Sequence, residues 1–231
     1  MHYAEFKHHD PALIKVLVEA FPFSAIIVNG NSGPAVALAP LSYRKGSSPS
    51  GAIEFHLALA NDITPLMEVD TPVTVLIQGP GAAISPSWYD ASFPTSGSDR
   101  SRTAPTYNYL SLALQGTLQH MSDEALQLQI GDLVKAHEPS QGWRLSELAP
   151  DLWSQWRELI RGYRFEVSRF DLTAKISQGD SSGDTAGVTA GLRDRALLDD
   201  IAMARLVEHY DGSATSLIAA VNALRTVKVT S

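Results

Sequence analysis

The sequence contains no cysteine among its 231 residues. This absence excludes a disulfide framework, a thiolate nucleophile and any zinc site built on cysteine ligands. A chain without cysteine is compatible with a reducing compartment, and we therefore expect a cytoplasmic location.

Long apolar runs and an excess of basic charge are missing as well. Residues 1–10 mix aromatic, charged and histidine residues, and no later run approaches the roughly 18 apolar residues that a membrane span needs. We therefore expect neither a signal peptide nor a membrane span. The chain has 18 Lys and Arg against 25 Asp and Glu, a net charge of −7. Because such a chain repels the phosphate backbone, direct contact with DNA is an unfavoured function.

The residues that are present, 44% of them hydrophobic and 19% charged, are those of an ordinary globular protein. Asp10-Pro11 before an apolar stripe predicts an opening helix. Runs of β-branched and apolar residues predict strands, the first two joined as a hairpin, over 23–42, 52–58, 72–78, 107–119 and 163–177. Helical spacing predicts further helices over 122–137, 149–161, 193–210 and 214–225. Consecutive strands with helices inserted late predict a mainly β fold with α, a mostly antiparallel barrel with peripheral helices.

Three segments carry more specific expectations. The nearly all-apolar run 72–78 is expected to be buried on both faces. In 163–177 the apolar residues change from odd to even positions near Ser168-Arg169, which predicts a bulge or bend and places Lys175 on the polar face. Trp153 and Trp156, on one side of the 149–161 helix, are interpreted as core or dimer anchors.

Short motifs give little chemistry. Gly79-Pro80-Gly81 begins a dinucleotide fingerprint but lacks the third glycine, so we reject a Rossmann site. Residues 179–183 match the nucleophile-elbow pattern G-x-S-x-G, yet they read as a flexible loop and no spacing selects a partner histidine. The seven histidines show no metal-ligand spacing, and no metal site is expected.

Aromatic and small polar residues gather in two stretches at predicted strand ends, 84–89 and 105–109. Planar ligands suit aromatic walls, while hydroxyls, amides and backbone N–H groups suit a phosphate or a ring carbonyl. The stretches therefore predict a site for a planar phosphorylated ligand at a barrel mouth. The alternative is that Trp88 and the tyrosines simply close the end of the barrel.

At these residues the chain resembles the PaiB family, also described as FMN-binding negative transcriptional regulators. The similar blocks are ISPSWY at 84–89, APTYNY at 104–109, AKISQGDSSGDTAGVTAGL at 174–192 and HLALAN at 56–61. The resemblance covers about residues 1–192. It implies an FMN-binding split β-barrel domain over 1–192 with peripheral helices, followed by a C-terminal helical extension over 193–231. It also implies a homodimer with the ligand site between the subunits.

The resemblance further implies a set of cofactor-binding residues for FMN. These are His56, Asn61, Ser85, Trp88, Tyr89, Thr106, Asn108, Lys175, Ser177 and Gln178. Lys175 is the expected phosphate or ring-edge cation. Leu59 stands where the family usually has arginine, so a bidentate phosphate clamp is missing and retention of FMN is an open question.

Three functions stay open from the sequence. The first is a flavin-binding protein of the PaiB type, a transcriptional regulator acting as a homodimer. The second is a flavin-dependent oxidoreductase, for which we identify no catalytic base. The third is a degenerate barrel without flavin that serves as a binding or assembly module, which Leu59 and Gly81 favour.

Overall fold

The computed structural model describes residues 3–225. The described chain forms eight β-strands and six α-helices and divides into two compact units. The terminal unit consists of the described residues up to 20, residues 78–112, and those from 171 onward. The central unit consists of residues 21–77 and 113–170. No helix in the described part of the chain is long and apolar enough to cross a membrane.

The strands form one largely antiparallel sheet. They are β1 (Lys7–His8), β2 (Phe23–Gly30), β3 (Gly33–Pro40), β4 (Ser42–Arg44), β5 (Ala52–Ala58), β6 (Pro72–Ile84), β7 (Thr106–His120) and β8 (Ile160–Lys175). Their order is β3-β2-β6-β7-β8-β5-β4, with β1 paired to β8. The pairs β2–β3, β2–β6, β4–β5, β5–β8 and β1–β8 are antiparallel. The path does not close, since no pairing among residues 3–225 joins β3 to β4. The expected mainly β fold with helices is confirmed.

The helices lie mostly in the terminal unit. They are α1 (Ala12–Ala20), α2 (Asp123–His137), α3 (Pro150–Trp156), α4 (Ser182–Arg195), α5 (Asp200–His209) and α6 (Ala214–Arg225). As the sequence predicts, Asp10 precedes α1, and its Oδ1 accepts a hydrogen bond of 2.9 Å from the Ala12 N–H. The apolar face of α1 is buried. In the terminal unit α1 packs on α6, α6 on α5, and α5 on α4.

In the central unit the predicted hairpin is β2–β3, and it turns at Asn31-Ser32. Successive residues of β2 alternate, with Ile26 and Val28 buried and Phe23 exposed. A stack of Phe55 on Tyr163, with ring centroids 5.4 Å apart, fills the core beside β5 and β8. The hairpin therefore has one packed face and one that is open in the monomer.

The expectation for residues 72–78 is wrong in two respects. The strand is longer, because β6 continues through Gly79-Pro80-Gly81 to Ile84. Its burial also alternates along the strand, and Leu76 is 37% exposed. A strand in an antiparallel sheet can face water on one side, so an apolar run does not require burial on both faces.

The predicted bounds of two helices are also wrong. The helix predicted over 149–161 ends at Trp156, which is 50% exposed and not part of the core. The helix predicted over 193–210 is instead the end of α4 and the whole of α5, broken at Ala196, whose φ of 48° is left-handed. The two short strands β1 and β4 are absent from the prediction. The domain division at residue 192 stays a prediction.

The change of parity along β8 is confirmed. Phe165 and Val167 are buried on one side of Ser168-Arg169, and Leu172 on the other, while the two residues between are both exposed. Thr173 has the same parity as Lys175 but is buried, and its hydroxyl accepts a hydrogen bond from Lys7.

Candidate functional site

Four of the predicted site residues meet where β7 begins and β8 ends. We call Thr106, Asn108, Lys175 and Ser177 the strand-end cluster. The Lys175 Nζ donates a hydrogen bond to the Thr106 hydroxyl. The Asn108 amide, only 1% exposed, donates to the Ser177 Oγ at 2.9 Å. Because β7 and β8 are neighbours in the sheet, the alternation that places Thr106 and Asn108 on one face brings them to the polar end of β8.

The backbone after β8 turns sharply under the cluster. Ser177 has a left-handed φ of 57°, a conformation that costs free energy in a non-glycine residue. The Gln178 side chain supports the turn, since its Oε1 accepts from the Ile176 N–H and its Nε2 donates to the Ala174 carbonyl, both at 2.7 Å. A weaker bond of 3.3 Å joins Nε2 to the Glu5 carbonyl. Gln178 thus shapes the cluster through the main chain.

Lys175 is the cationic member of the strand-end cluster, whose other three side chains are uncharged. Burial lowers the pKa of Lys175, and the carboxylate of Asp180 acts in the opposite direction. The Lys175 Nζ lies 5.9 Å from the centre of the Phe6 ring, within the range of a cation–π contact. A half-buried ammonium beside a hydroxyl and an amide is a donor set that suits phosphate oxygens.

The segment 85–89 lies in the same unit but is held mainly by α4. Ser85 caps a short 3₁₀ turn by accepting from the Ser87 N–H at 3.1 Å. The Cζ of Arg195 lies 4.8 Å from the centre of the Trp88 ring. Burial raises the pKa of Tyr89, and Asp180 and Asp184 raise it further. The Trp88 indole is therefore packed against α4, and both its ligand-binding role and its barrel-closing role stay predictions.

A row of glycines on α4 lets this segment approach closely. Gly183, Gly187 and Gly191 recur at every fourth position and so share one helix face. A Cβ at Gly187 would lie 2.0 Å from the Trp88 carbonyl oxygen, and one at Gly191 would lie 2.3 Å from the Trp88 ring. Only glycine fits at these contacts.

We expect Gly187→Ala to lower the free energy of unfolding by about 2 kcal/mol, because the added methyl must displace a backbone carbonyl. The matched control is Gly131→Ala within α2, where the new Cβ would be 3.6 Å from Leu145. That substitution should be neutral or stabilise by up to about 1 kcal/mol, the difference in helix propensity. Urea unfolding of both variants measures the contrast, and equal effects would contradict the close packing.

Asp184 anchors the chain that follows Tyr89. Its carboxylate accepts hydrogen bonds from the Ala91 and Ser92 N–H groups at 3.0 and 2.9 Å, and from the Ser92 and Ser181 hydroxyls at 2.6 and 2.9 Å. Burial opposes ionisation of this carboxylate, but the hydrogen bonds outweigh it and hold the pKa of Asp184 below its ordinary value. Ser181, the centre of the G-x-S-x-G pattern, is the N-cap of α4 and accepts from the Asp184 N–H.

Two predicted site residues lie in the central unit. The Nδ1 of His56 pairs with the Gln129 Oε1 at 2.8 Å. The Asn61 Oδ1 accepts from the Ile63 N–H at 3.2 Å, a local turn contact. Leu59, in place of the family arginine, is 39% exposed. Each polar group thus has a structural partner within its own unit.

Sequence reasoning missed α4 and, with it, Asp184 and Arg195. The sequence prediction treats residues 179–183 as a flexible loop, assigns no element to residues 184–192 and begins a helix only at residue 193. A signal was nevertheless present, since Ser181 stands three residues before Asp184 in a capping arrangement and the glycines repeat every fourth residue.

Known families and solved structures include proteins similar to this chain. Residues 1–169 match a family model described as "Putative FMN-binding domain". The chain is 24% identical over 207 residues to the protease synthase and sporulation protein PAI 2 of Bacillus subtilis (strain 168), covering 88% of this chain and 94% of that one.

Solved structures share the fold. The flavocytochrome Anf3 of Azotobacter vinelandii superposes with a TM-score of 0.55 at 17% identity, covering 80% of this chain and 77% of the other. The FAD and heme binding protein of Mycobacterium smegmatis gives a TM-score of 0.52 at 13% identity, with 78% and 79% covered. At these identities the likeness establishes the fold alone, and that fold is the one of flavin-binding split-barrel proteins.

Proposed function

Because this chain belongs to the PaiB family of FMN-binding domains, we propose that it binds FMN at the strand-end cluster. The supporting observation is the grouping of a half-buried ammonium, a hydroxyl and a buried amide at adjoining strand ends. In this proposal Lys175 and Thr106 hold the phosphate, while Asn108 and Ser177 supply neighbouring polar contacts. Saturable quenching of FMN fluorescence by the purified protein tests it.

The donors of the strand-end cluster fit a phosphorylated ligand. The aromatic residues Trp88 and Tyr107 differ in how accessible they are to such a ligand. Trp88 is packed on α4, and we propose that it supports the loop at 85–89 without contacting the ligand. Tyr107, 54% exposed, is the more accessible ring in the same unit. Bound flavin would supply the redox chemistry, while the residues of the chain bind and orient it.

We further propose that the chain works as a cytoplasmic homodimer through the open face of the central-unit sheet. Leu38, Ala25 and Leu76 stand in register across β3, β2 and β6, so they share one face. Leu38 is 58% exposed, and Val36 and Phe23 on the same face are 56% and 66% exposed. A contiguous apolar face of this kind marks an association surface, and the resemblance makes a second copy its occupant.

Val36→Asp/Leu38→Asp should convert the dimer into a monomer, because two carboxylates would be buried without partners at the interface. Gel filtration with light scattering measures the change against a subunit mass of 24.9 kDa. Leu128→Asp is the control, since Leu128 is 69% exposed on α2, away from this face. A monomeric parent protein would contradict the proposal.

The transcriptional role implied by the family name would act through a partner. A net charge of −7 opposes the phosphate neutralisation on which DNA affinity depends. A gel-shift experiment showing tight, salt-sensitive binding of DNA by the protein alone would overturn this form of the proposal.

A further inference from the structure

Arg195 links the Trp88 ring to the start of α5. Its guanidinium lies over the indole at 4.8 Å, and the same group makes two hydrogen bonds to Asp200, from Nε to Oδ2 at 2.8 Å and from Nη2 to Oδ1 at 2.7 Å. Asp200 is 2% exposed, and its Oδ2 also accepts from the Leu197 N–H at 2.9 Å. A fork-to-fork pair of this kind fixes the plane of the guanidinium as well as its position.

Further contacts surround the Arg195–Asp200 pair. The hydrogen bonds from Arg195 lower the pKa of Asp200, although burial acts against them. Arg195 stands four residues after Gly191, so it lies on the same face of α4 as the glycines. The segment 88–91 therefore contacts the glycines and, at Trp88, the stacked guanidinium. The neighbouring Asp199 Oδ2 accepts from the Gly81 N–H at 3.2 Å, a second contact between the α4–α5 turn and the strand that leads into the loop.

We infer that Arg195 is a positioning residue for the ligand site, which orients the Trp88 ring and through it the loop at 85–89. The inference rests on the proposed function, because the loop matters only if the strand-end cluster binds a ligand. The loop follows β6, and the neighbouring strand β7 carries Thr106 and Asn108 of that cluster. It goes beyond the family match, which ends at residue 169. In this inference α4, which follows residue 169, contributes to the ligand site.

Two readouts test the inference. Trp143→Phe/Trp153→Phe/Trp156→Phe leaves Trp88 as the single tryptophan of the four in the chain. In that background Arg195→Ala should shift the Trp88 emission to longer wavelength and weaken FMN binding about tenfold, equivalent to ~1.4 kcal/mol. Arg195→Lys keeps a cation but loses the planar fork, and it should show a smaller change of the same sign.

Arg193→Ala is the matched control. Arg193 is on the same helix and pairs with Glu208 at 2.8 Å on the exposed side, so its loss should change neither the emission nor the affinity. If Arg195→Ala fails to fold because Asp200 is left unpaired, Arg195→Lys decides.

The outcomes separate the inference from the proposed function. An unchanged FMN affinity in folded Arg195 variants overturns the inference, whether or not the emission shifts. If the single-tryptophan background binds no FMN while the four-tryptophan parent does, the same affinities are measured in the parent. If neither the single-tryptophan background nor the parent binds FMN, the proposed function fails. The Trp88 emission alone then tests whether Arg195 orients the ring. A shift with Arg195→Ala and none with Arg193→Ala supports that role, and the absence of a shift with Arg195→Ala overturns it.

Discussion

We expect Lys175→Met to weaken FMN binding about 30-fold, a loss of roughly 2 kcal/mol, because the variant would lack the proposed charged hydrogen bond to the phosphate in a half-buried site. The methionine keeps most of the length of the side chain and its apolar stem, so packing against Phe6 is largely preserved. Fluorescence titration of the purified variant and parent gives the two dissociation constants.

Riboflavin, which lacks the phosphate, identifies what the ammonium contacts. If Lys175 binds the phosphate, Lys175→Met changes riboflavin affinity little, whereas an equal loss for both ligands places the ammonium at the edge of the flavin ring. Lys15→Met is the control for the change in charge, since Lys15 lies on α1 and pairs with Glu19. Parent-like FMN affinity in the Lys175 variant would contradict the assignment of the cluster.

We expect Asp184→Ala to lower the free energy of unfolding by about 3 kcal/mol, because several donors lose a buried charged acceptor at once. The donors are two backbone N–H groups and two hydroxyls that tie residues 91–92 to the start of α4. Urea unfolding, followed by circular dichroism and by tryptophan fluorescence, measures the loss. Asp194→Ala, at an exposed position of the same helix, is the control and should stay within about 0.5 kcal/mol of the parent.

The effect of Asp184 depends on pH with a definite sign. Its pKa is lowered in the folded chain, so the carboxylate stabilises the fold fully above the ordinary pKa of about 3.9 and loses this contribution as the pH falls through the folded value. The difference between parent and Asp184→Ala should therefore be constant from pH 7 to pH 5 and shrink below about pH 4. A difference that grows on acidification would contradict this role.

The sequence predicted elements whose signal is local. Asp10 and the apolar stripe after it mark α1, and the alternation at Leu110 and Leu112 marks β7, because burial on one face repeats with the period of the element itself. The parity change around Ser168 is a signal of the same kind. The hydrogen bond from Lys175 to Thr106 across the two strand ends does not follow from parity and is seen only in the structure.

Elements that depend on tertiary contacts were missed. The packing of α4 depends on close contacts of its glycines with the Trp88 carbonyl and ring, and residues 182–195 carry no apolar stripe from which a helix is predicted. β1 and β4 have only two and three residues, too few for a pattern to emerge. The cofactor-binding assignment of His56 and Asn61 stays a prediction. His56 pairs with Gln129, which is distant in sequence, so hydrophobic patterning does not reveal that contact.

Titration of the purified full-length protein with FMN, followed by absorbance and by quenching of flavin fluorescence, tests the central claim most directly. The account predicts saturable binding that Lys175→Met weakens and Lys15→Met leaves unchanged. Absence of saturable binding at high FMN concentration, by a protein that is folded by circular dichroism, would contradict it and favour a barrel that serves in recognition or assembly without flavin.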